Sequence, residues 1–164
     1  MQYTCSYSSP LGEMLIASDG SAVTGLWFIG QKYFGSTLEA EYAEKALPVF
    51  GQTVRWLDDY FQGNVPMEMP PVSFNSSSFR IRVWKLLMEI PYGHTVTYGE
   101  IARTLEKQTG RRICAQAVGG AVDHNPVSII VPCHRVIGSN GLTGYAGGLD
   151  KKLALLRLEG VNVH

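Results

Sequence analysis

The chain is poor in three features that mark specialised classes of protein: paired cysteines, long apolar runs and excess charge. Its 164 residues include three cysteines, Cys5, Cys114 and Cys133, with no CxxC pair among them. An odd count without that spacing argues against a disulfide framework and against a structural zinc site. None of the four histidines stands at ligand spacing with a second cysteine. We therefore expect no metal and no cofactor.

No apolar run approaches the roughly 18 residues that a membrane span needs. The N-terminal segment MQYTCSYSSP also lacks the basic-then-apolar order of a signal peptide. The composition, 45% hydrophobic and 17% charged, is typical of a folded globular protein. The sequence therefore predicts a cytoplasmic protein without membrane contact, long enough for one domain or two small ones.

The net charge of zero conceals a difference between the two halves of the chain. Residues 1–78 carry three Lys or Arg against eight Asp or Glu, a balance of −5. Residues 79–164 carry eleven against six, a balance of +5. A basic half indicates contact with nucleic acid, although chance segregation of charge explains the split equally well.

The N-terminal part of the chain has the pattern of an antiparallel sheet. Residues 12–18 and residues 22–28 are predicted to form two strands. The dipeptide Asp19-Gly20 between them is a strong hairpin signal, because glycine adopts the backbone angles of a tight turn.

Helices are predicted after the sheet. A polar helix is expected over residues 38–46, and Pro48 begins a second helix that ends at Gly63. The apolar stripe of the second helix consists of Val49, Phe50, Val54, Leu57 and Phe61.

A change of pattern divides the chain into two predicted domains. Residues 63–76 contain three prolines and little periodicity, which is typical of a linker. We therefore predict an N-terminal α/β domain with its linker over residues 1–76 and a second domain over residues 77–164. A helix over residues 79–90 begins the second domain.

A pair of short helices follows in the basic half. Thr97 and Glu100 fit a capping box that starts a helix over residues 98–105. A turn containing Gly110 leads to another helix near residues 112–122. Two short helices joined by such a turn indicate a helix-turn-helix, although similar pairs are common in helical proteins.

The second helix of this pair has almost no large side chains. Its backbone can therefore approach a surface closely, which is either another helix or the floor of a DNA groove. The small residues are Ala115, Ala117, Gly119, Gly120 and Ala121.

A β-branched run at residues 129–131 leads directly to Pro132-Cys133-His134. Such runs are usually buried. A cysteine with a pKa of about 8.5 is mostly thiol at neutral pH, and burial raises the pKa further, so a nucleophilic cysteine here needs a base. His134 is the candidate. In extended backbone the two side chains point to opposite faces, so contact requires a bend or a bridging water.

Glu159 is a candidate partner for His134. It ends a helix predicted over residues 150–159, where a carboxylate opposes the helix dipole. The alternative is a solvated glutamate. Taken alone, this Cys-His-Glu pattern is compatible with a cysteine nucleophile and equally with a buried structural cysteine.

The motif PCHRV follows AVGGA and NP and precedes TGYAGG. Together, these motifs resemble those of the O6-alkylguanine-DNA alkyltransferase family. The similarity covers residues 79–161, including VWKLLMEIPYG and TVTYGEIA, which resemble the C-terminal domain of that family. The stretches GLWF and GQKYF also resemble its bacterial members.

The resemblance implies an α+β fold: a three-stranded antiparallel sheet with helices, ribonuclease-H-like, followed by a helical, winged-helix-like domain with a helix-turn-helix. It implies a monomer that binds double-stranded DNA in the minor groove and flips the damaged nucleotide out of the stack. The alkyl group of O6-alkylguanine, and also of O4-alkylthymine, would pass irreversibly to the protein, one lesion per molecule.

The resemblance also assigns roles to single residues. Cys133 would accept the alkyl group, His134 would act on it through a water, and Glu159 would orient His134. Asn125 would hydrogen-bond within the active-site turn, and Tyr98 would donate a proton toward the leaving purine. Contacts to substrate or DNA are implied for Ala115, Gln116, Ala117, Val122, Arg135, Val136, Ser139, Tyr145 and Ala146.

Three positions depart from the family pattern. Gln116 stands where an arginine often fills the space left by the flipped base. Asp123 is acidic where DNA phosphates are expected, and the loop over residues 138–145 is one residue shorter than usual.

Three other classes of protein compete with this interpretation. Alkyltransferase-like proteins bind the lesion without a nucleophile, which Cys133 argues against. A Cys-His hydrolase would need an oxyanion hole, and a transcriptional regulator would have no need of PCHR.

Overall fold

The computed structural model describes residues 1–162. An N-terminal sheet is followed by helices, and the predicted α+β class is confirmed. Within the described range, no helix combines the length and the apolar character that crossing a bilayer requires.

The chain divides into two compact units. The first consists of Met1–Asn75 together with Pro126–Ser128, and the second of Ser76–Asn125 with the chain from Ile129 onward. The predicted division kept all of residues 77–164 in one domain. The structure differs from it at residues 126–128, which group with the first unit.

The first unit is built on a sheet that has four strands within residues 1–162, in the order β3-β2-β1-β4. The strands are β1 (Gln2–Ser9), β2 (Gly12–Ser18), β3 (Val23–Phe28) and β4 (Tyr42–Glu44). β1, β2 and β3 form the predicted antiparallel part, and β4 adds to β1 in parallel.

The helix predicted over residues 38–46 is wrong. Its centre is β4, whose three residues are all exposed. A polar segment without an apolar stripe has no face to bury, so it gains little from helix formation. Its backbone pairs instead with β1, where Gln2 lies opposite Tyr42 and Thr4 opposite Glu44.

The predicted hairpin between β2 and β3 is confirmed. The Asp19 carboxylate accepts hydrogen bonds from the backbone N–H groups of Ser21 and Ala22, at 2.9 and 3.0 Å. Gly20 has a φ of +113°, a conformation that residues with a Cβ rarely adopt.

Helix α1 (Pro48–Phe61) begins at the predicted proline and packs on β1, β2 and β3. Part of its predicted apolar stripe is buried. The buried residues of α1 are Val49, Phe50, Thr53, Trp56, Leu57 and Tyr60.

The outer edge of β3 is covered by two short segments of the first unit. Val23 donates to the carbonyl of Pro71 and accepts from the N–H of Ser73, at 2.8 and 2.9 Å. Leu26 bonds in the same way to Pro126 and Ser128. The end of the predicted linker is therefore tied to the sheet, and these contacts protect an edge that would otherwise expose unpaired backbone groups.

The second unit is mainly helical. Its elements are α2 (Ser78–Met88), β5 (Val96–Thr97), α3 (Tyr98–Thr109), α4 (Ala115–Asp123), β6 (Val136–Ile137) and α5 (Leu149–Leu158). Trp84 of α2 donates from Nε1 to the carbonyl of Ala121 in α4 at 2.8 Å, which ties these two helices together.

The helix-turn-helix pair consists of α3 and α4, which pack on each other. Thr97 caps α3 as predicted, since its Oγ1 accepts from the N–H of Glu100 at 3.1 Å. α3 runs to Thr109, one turn beyond the predicted end, and stops at Gly110 in the left-handed conformation.

Candidate active site

The cysteine lies in a one-turn 3-10 helix, Cys133–Arg135. The preceding residues 129–131 are buried as predicted, but they form a turn instead of extended backbone. Ile129 has a φ of +70°, which is unusual for a β-branched residue. The expectation that the cysteine and histidine side chains point to opposite faces assumed a strand, so it does not apply.

Cys133 is buried, with 5% of its surface exposed. Burial raises the pKa of its thiol to about 11, because the charged thiolate loses its hydration. A hydrogen bond from Asn125 and the charge of Lys152 lower the pKa, whereas Asp123 raises it. At neutral pH the group is therefore a thiol, and it needs a base to react as a nucleophile.

His134 is paired with Glu159, as the sequence proposed. Its Nε2 lies 2.6 Å from Oε2 of Glu159, and both side chains are fully buried. A carboxylate only accepts hydrogen bonds, so Nε2 carries the ring proton and Nδ1 keeps the lone pair. Burial lowers the pKa of His134 and Glu159 raises it, with burial the larger effect. The histidine is therefore neutral at pH 7 and able to take up a proton.

Glu159 caps the C-terminus of α5 and has further partners. Arg135 donates from Nε to its Oε1 at 2.8 Å and from Nη2 to its Oε2 at 3.1 Å. The N–H of Gly93 donates to Oε1 at 3.0 Å. The carboxylate is thus fixed by three groups, and its geometry fixes the ring of His134.

Arg135 faces inward. Its third nitrogen, Nη1, donates to the carbonyl of Ile90 at 2.8 Å, and the guanidinium lies 5.7 Å from the ring centre of Tyr92. The resemblance implied a contact with DNA or substrate for this side chain. The structure places it on Glu159 instead, because a buried carboxylate needs a positive partner.

Asn125 spans the active-site turn. It follows α4, and its Nδ2 donates to the carbonyl of Val131 at 2.8 Å. It also hydrogen-bonds to the Cys133 sulfur, which stabilises the thiolate. Asn125 therefore contacts both Val131 and Cys133 within the active-site turn.

Tyr98, the first residue of α3, shares a hydrogen bond of 2.9 Å with the Thr143 hydroxyl. Gly119 of α4 faces its ring, where a Cβ would meet the ring carbons at 3.9 Å. Burial raises the pKa of the Tyr98 phenol, so it keeps its proton at neutral pH.

Lys152 is a site residue that the sequence reasoning missed. It is fully buried on α5, and its Nζ donates to the carbonyls of Val136, Thr143 and Gly144 at 2.6, 3.4 and 3.3 Å. Its charge lowers the pKa of Cys133. Four residues at the spacing of one helix face are buried: Lys152, Leu155, Leu156 and Glu159. A lysine on that apolar face was the sequence signal that could have identified Lys152 as a site residue.

The predicted DNA-contact residues of α4 fall on two faces. Ala115, Gln116 and Ala117 are exposed, whereas Val122 is buried, so its side chain points away from any ligand on the exposed face. Gly120 is also exposed, and a Cβ there would meet nothing within 4 Å. The exposed face of α4 is therefore open and almost free of side chains.

The remaining predicted residues lie after the 3-10 turn. Val136 is buried in β6, and its carbonyl is occupied by Lys152. Ser139 is exposed, and Tyr145 and Ala146 are half-buried. Among residues 1–162, no three His, Cys, Asp or Glu side chains form a group that could hold a metal ion.

The geometry defines a protein with a helix-turn-helix and a buried cysteine followed by a His-Glu pair. Two family models match the chain. The DNA-binding domain of 6-O-methylguanine DNA methyltransferase covers residues 78–161, and the ribonuclease-like domain of the same family covers residues 2–70. The chain belongs to the 6-O-methylguanine DNA methyltransferase family.

Individual relatives agree with this assignment. The methylated-DNA--protein-cysteine methyltransferase of Mycobacterium leprae is 43% identical over 94% of this chain and 90% of its own length. The crystal structure of Mycobacterium tuberculosis O6-methylguanine methyltransferase matches with a TM-score of 0.82 and 41% identity, over 97% of this chain and 93% of its own. The structure of Mycobacterium tuberculosis OGT in complex with DNA matches with a TM-score of 0.80 and 41% identity, over 96% and 91%.

Proposed function

We propose that this protein repairs alkylated DNA by direct reversal, with Cys133 as the acceptor of the alkyl group from O6-alkylguanine. The observation that carries the proposal is the buried cysteine directly before a histidine whose Nε2 is bound to Glu159 at 2.6 Å. The relatives named methylated-DNA--protein-cysteine methyltransferase support the same reaction.

The reaction is a displacement at the alkyl carbon. The Cys133 thiol gives its proton to His134 through a water, and the sulfur forms a bond to the carbon. The bond from that carbon to O6 breaks, and its electron pair passes to the guanine. Tyr98 donates a proton toward the purine, so no full negative charge develops on the leaving group. The thioether product has no easy hydrolysis route, so each molecule acts once.

The proposed substrate is O6-alkylguanine in double-stranded DNA, with O4-alkylthymine as a second lesion. The open face of α4, with exposed Ala115, Gln116 and Ala117, supports close approach to the minor groove. The related mycobacterial protein crystallised with DNA supports the same partner. We propose that the protein acts as a monomer in the cytoplasm and flips the damaged nucleotide out of the stack.

Mass spectrometry after reaction with a duplex containing one O6-methylguanine tests the proposal. We expect one methyl group on Cys133 and no turnover beyond one equivalent. Cys133→Ser removes the nucleophile but little volume, so it should abolish transfer and retain lesion binding.

Cys114→Ser is the matched control, because Cys114 is exposed whereas Cys133 is buried. Non-specific alkylation would modify the exposed thiol first. Methyl on Cys114 or Cys5 in place of Cys133, or release of product over many turnovers, would exclude the proposed reaction.

A further inference from the structure

A basic cleft lies where α2 meets the turn between α3 and α4. Its volume is about 680 Å³, and three arginines line it: Arg82 from α2, and Arg111 and Arg112 from the turn. All three side chains are exposed. The left-handed Gly110, with a φ of +68°, ends α3 directly before the last two.

The positive charge of this cleft is not compensated. Gln108 and Thr109 add neutral polar groups to its wall, and no acidic residue lines it. Within the described part of the chain, none of the three guanidinium groups forms an ion pair. Three like charges in one cleft repel each other, so an anion that enters it is favoured.

The cleft is continuous with the open face of α4. Two exposed residues beside Gln116 line it: Ala117 of α4 and Cys114, the N-cap residue of that helix. A helix in the minor groove, which is about 6 Å wide, has a sugar-phosphate strand on either side. The strand on the side of the cleft would pass over the three arginines.

We infer that Arg82, Arg111 and Arg112 bind backbone phosphates of the DNA strand that runs beside α4. The inference rests on the proposed function, because it takes α4 as the helix that enters the groove. The guanidinium fork matches the geometry of a phosphate, and such contacts add affinity and fix orientation without reading sequence. The DNA contact therefore extends beyond the groove to a second surface of the same unit.

The salt dependence of binding to an undamaged duplex tests this inference, since no transfer occurs on that DNA. Each phosphate contact contributes roughly 0.9 to the slope of log affinity against log salt. In the variant R82Q/R111Q/R112Q, which loses three such contacts, the slope should therefore become shallower by about 2.7. Between 50 and 200 mM salt, the variant should then lose affinity by a factor about fortyfold smaller than the wild type does. Each single Arg→Gln variant should make the slope shallower by roughly 0.9.

The matched control is K32Q/R55Q/R157Q, which removes the same charge from exposed positions outside the cleft. Its slope should equal that of the wild type. Equal slopes for all three proteins, or equal reductions in both variants, would overturn the inference.

Reaction of the same proteins with free O6-methylguanine separates this inference from the proposed function. The cleft variant should methylate Cys133 at the wild-type rate with the free base and more slowly with duplex DNA. If the wild type transfers the methyl group but the cleft variant keeps the wild-type slope, only the inference is wrong. If the wild type neither binds DNA nor transfers the group, both are wrong.

Discussion

The Glu159 carboxylate binds His134 at 2.6 Å through Oε2 and Arg135 at 2.8 Å through Oε1, with its side chain fully buried. One carboxylate therefore neutralises a buried guanidinium and also sets the tautomer of the candidate base. Removing it affects both stability and reactivity.

Glu159→Gln should lower the free energy of unfolding by roughly 3–5 kcal/mol, because Arg135 is then left without its counter-charge. Transfer to Cys133 should slow as well, since His134 loses the partner that raises its pKa. Denaturant unfolding and single-turnover kinetics measure the two effects. Glu68→Gln, at an exposed position, is the control. Wild-type stability in the Glu159 variant would show that the network does not hold the fold.

His134 should make stability depend on pH. Its folded pKa is lowered from 6.5 by burial, so the unfolded chain binds more protons as pH falls through that range. The stabilisation is complete above about pH 6.5 and is lost as pH falls toward the folded pKa. Melting temperatures measured across this range should fall with pH. His134→Gln should remove that component, whereas the exposed His94→Gln should keep it. A wild-type melting temperature that does not change below pH 6.5 would contradict this.

Lys152→Met should raise the pKa of Cys133 above its wild-type value of about 11, because a neighbouring positive charge disappears. Alkylation of Cys133 by iodoacetamide, followed against pH, measures the change. The carbonyls of Val136, Thr143 and Gly144 also lose their shared donor, so methyl transfer should slow further. Lys151→Met, one residue away, controls for the loss of charge on α5. Identical alkylation profiles for the two variants would remove Lys152 from the site.

Gln116→Arg should accelerate repair of O6-methylguanine in duplex DNA by up to about tenfold, equivalent to roughly 1.4 kcal/mol. Residue 116 is exposed on α4, and an arginine there has a longer stem and five donors for the unpaired cytosine. Reaction with the free base, which needs no flipping, should not change. Single-turnover rates on both substrates provide the comparison. Equal acceleration on both, or none in the duplex, would show that residue 116 does not fill the vacated space.

The elements that the sequence predicted well are those with local signals. The Asp19-Gly20 hairpin, the start of α1 at Pro48 and the Thr97 cap each depend on residues that are adjacent or one turn apart. The strand at residues 42–44 was missed because its pairing partner is β1, about forty residues away. Nothing in these three exposed residues indicates a parallel pairing over that distance in sequence.

Within the candidate site, the motif located Cys133, and the helix dipole suggested a partner for Glu159. Lys152 was also within reach, because its spacing from Leu155 places a charge on a buried helix face. No sequence pattern indicated the inward orientation of Arg135 or the positive φ of Ile129. Both follow from the packed turn, where the surroundings impose a conformation that the residue alone would not adopt.

Because residues 126–128 belong to the first unit, that unit is not one continuous stretch of the chain. A fragment beginning at Ser76 would still carry this short segment but would lack Leu26. The N–H of Leu26 donates to the Pro126 carbonyl, and its carbonyl accepts from the N–H of Ser128. A fragment ending at Asn75 would leave the same stretch of β3 open. The half of the gene before Ser76 therefore does not encode a complete first unit, and a recombination event at the boundary would separate backbone groups that must be inherited together.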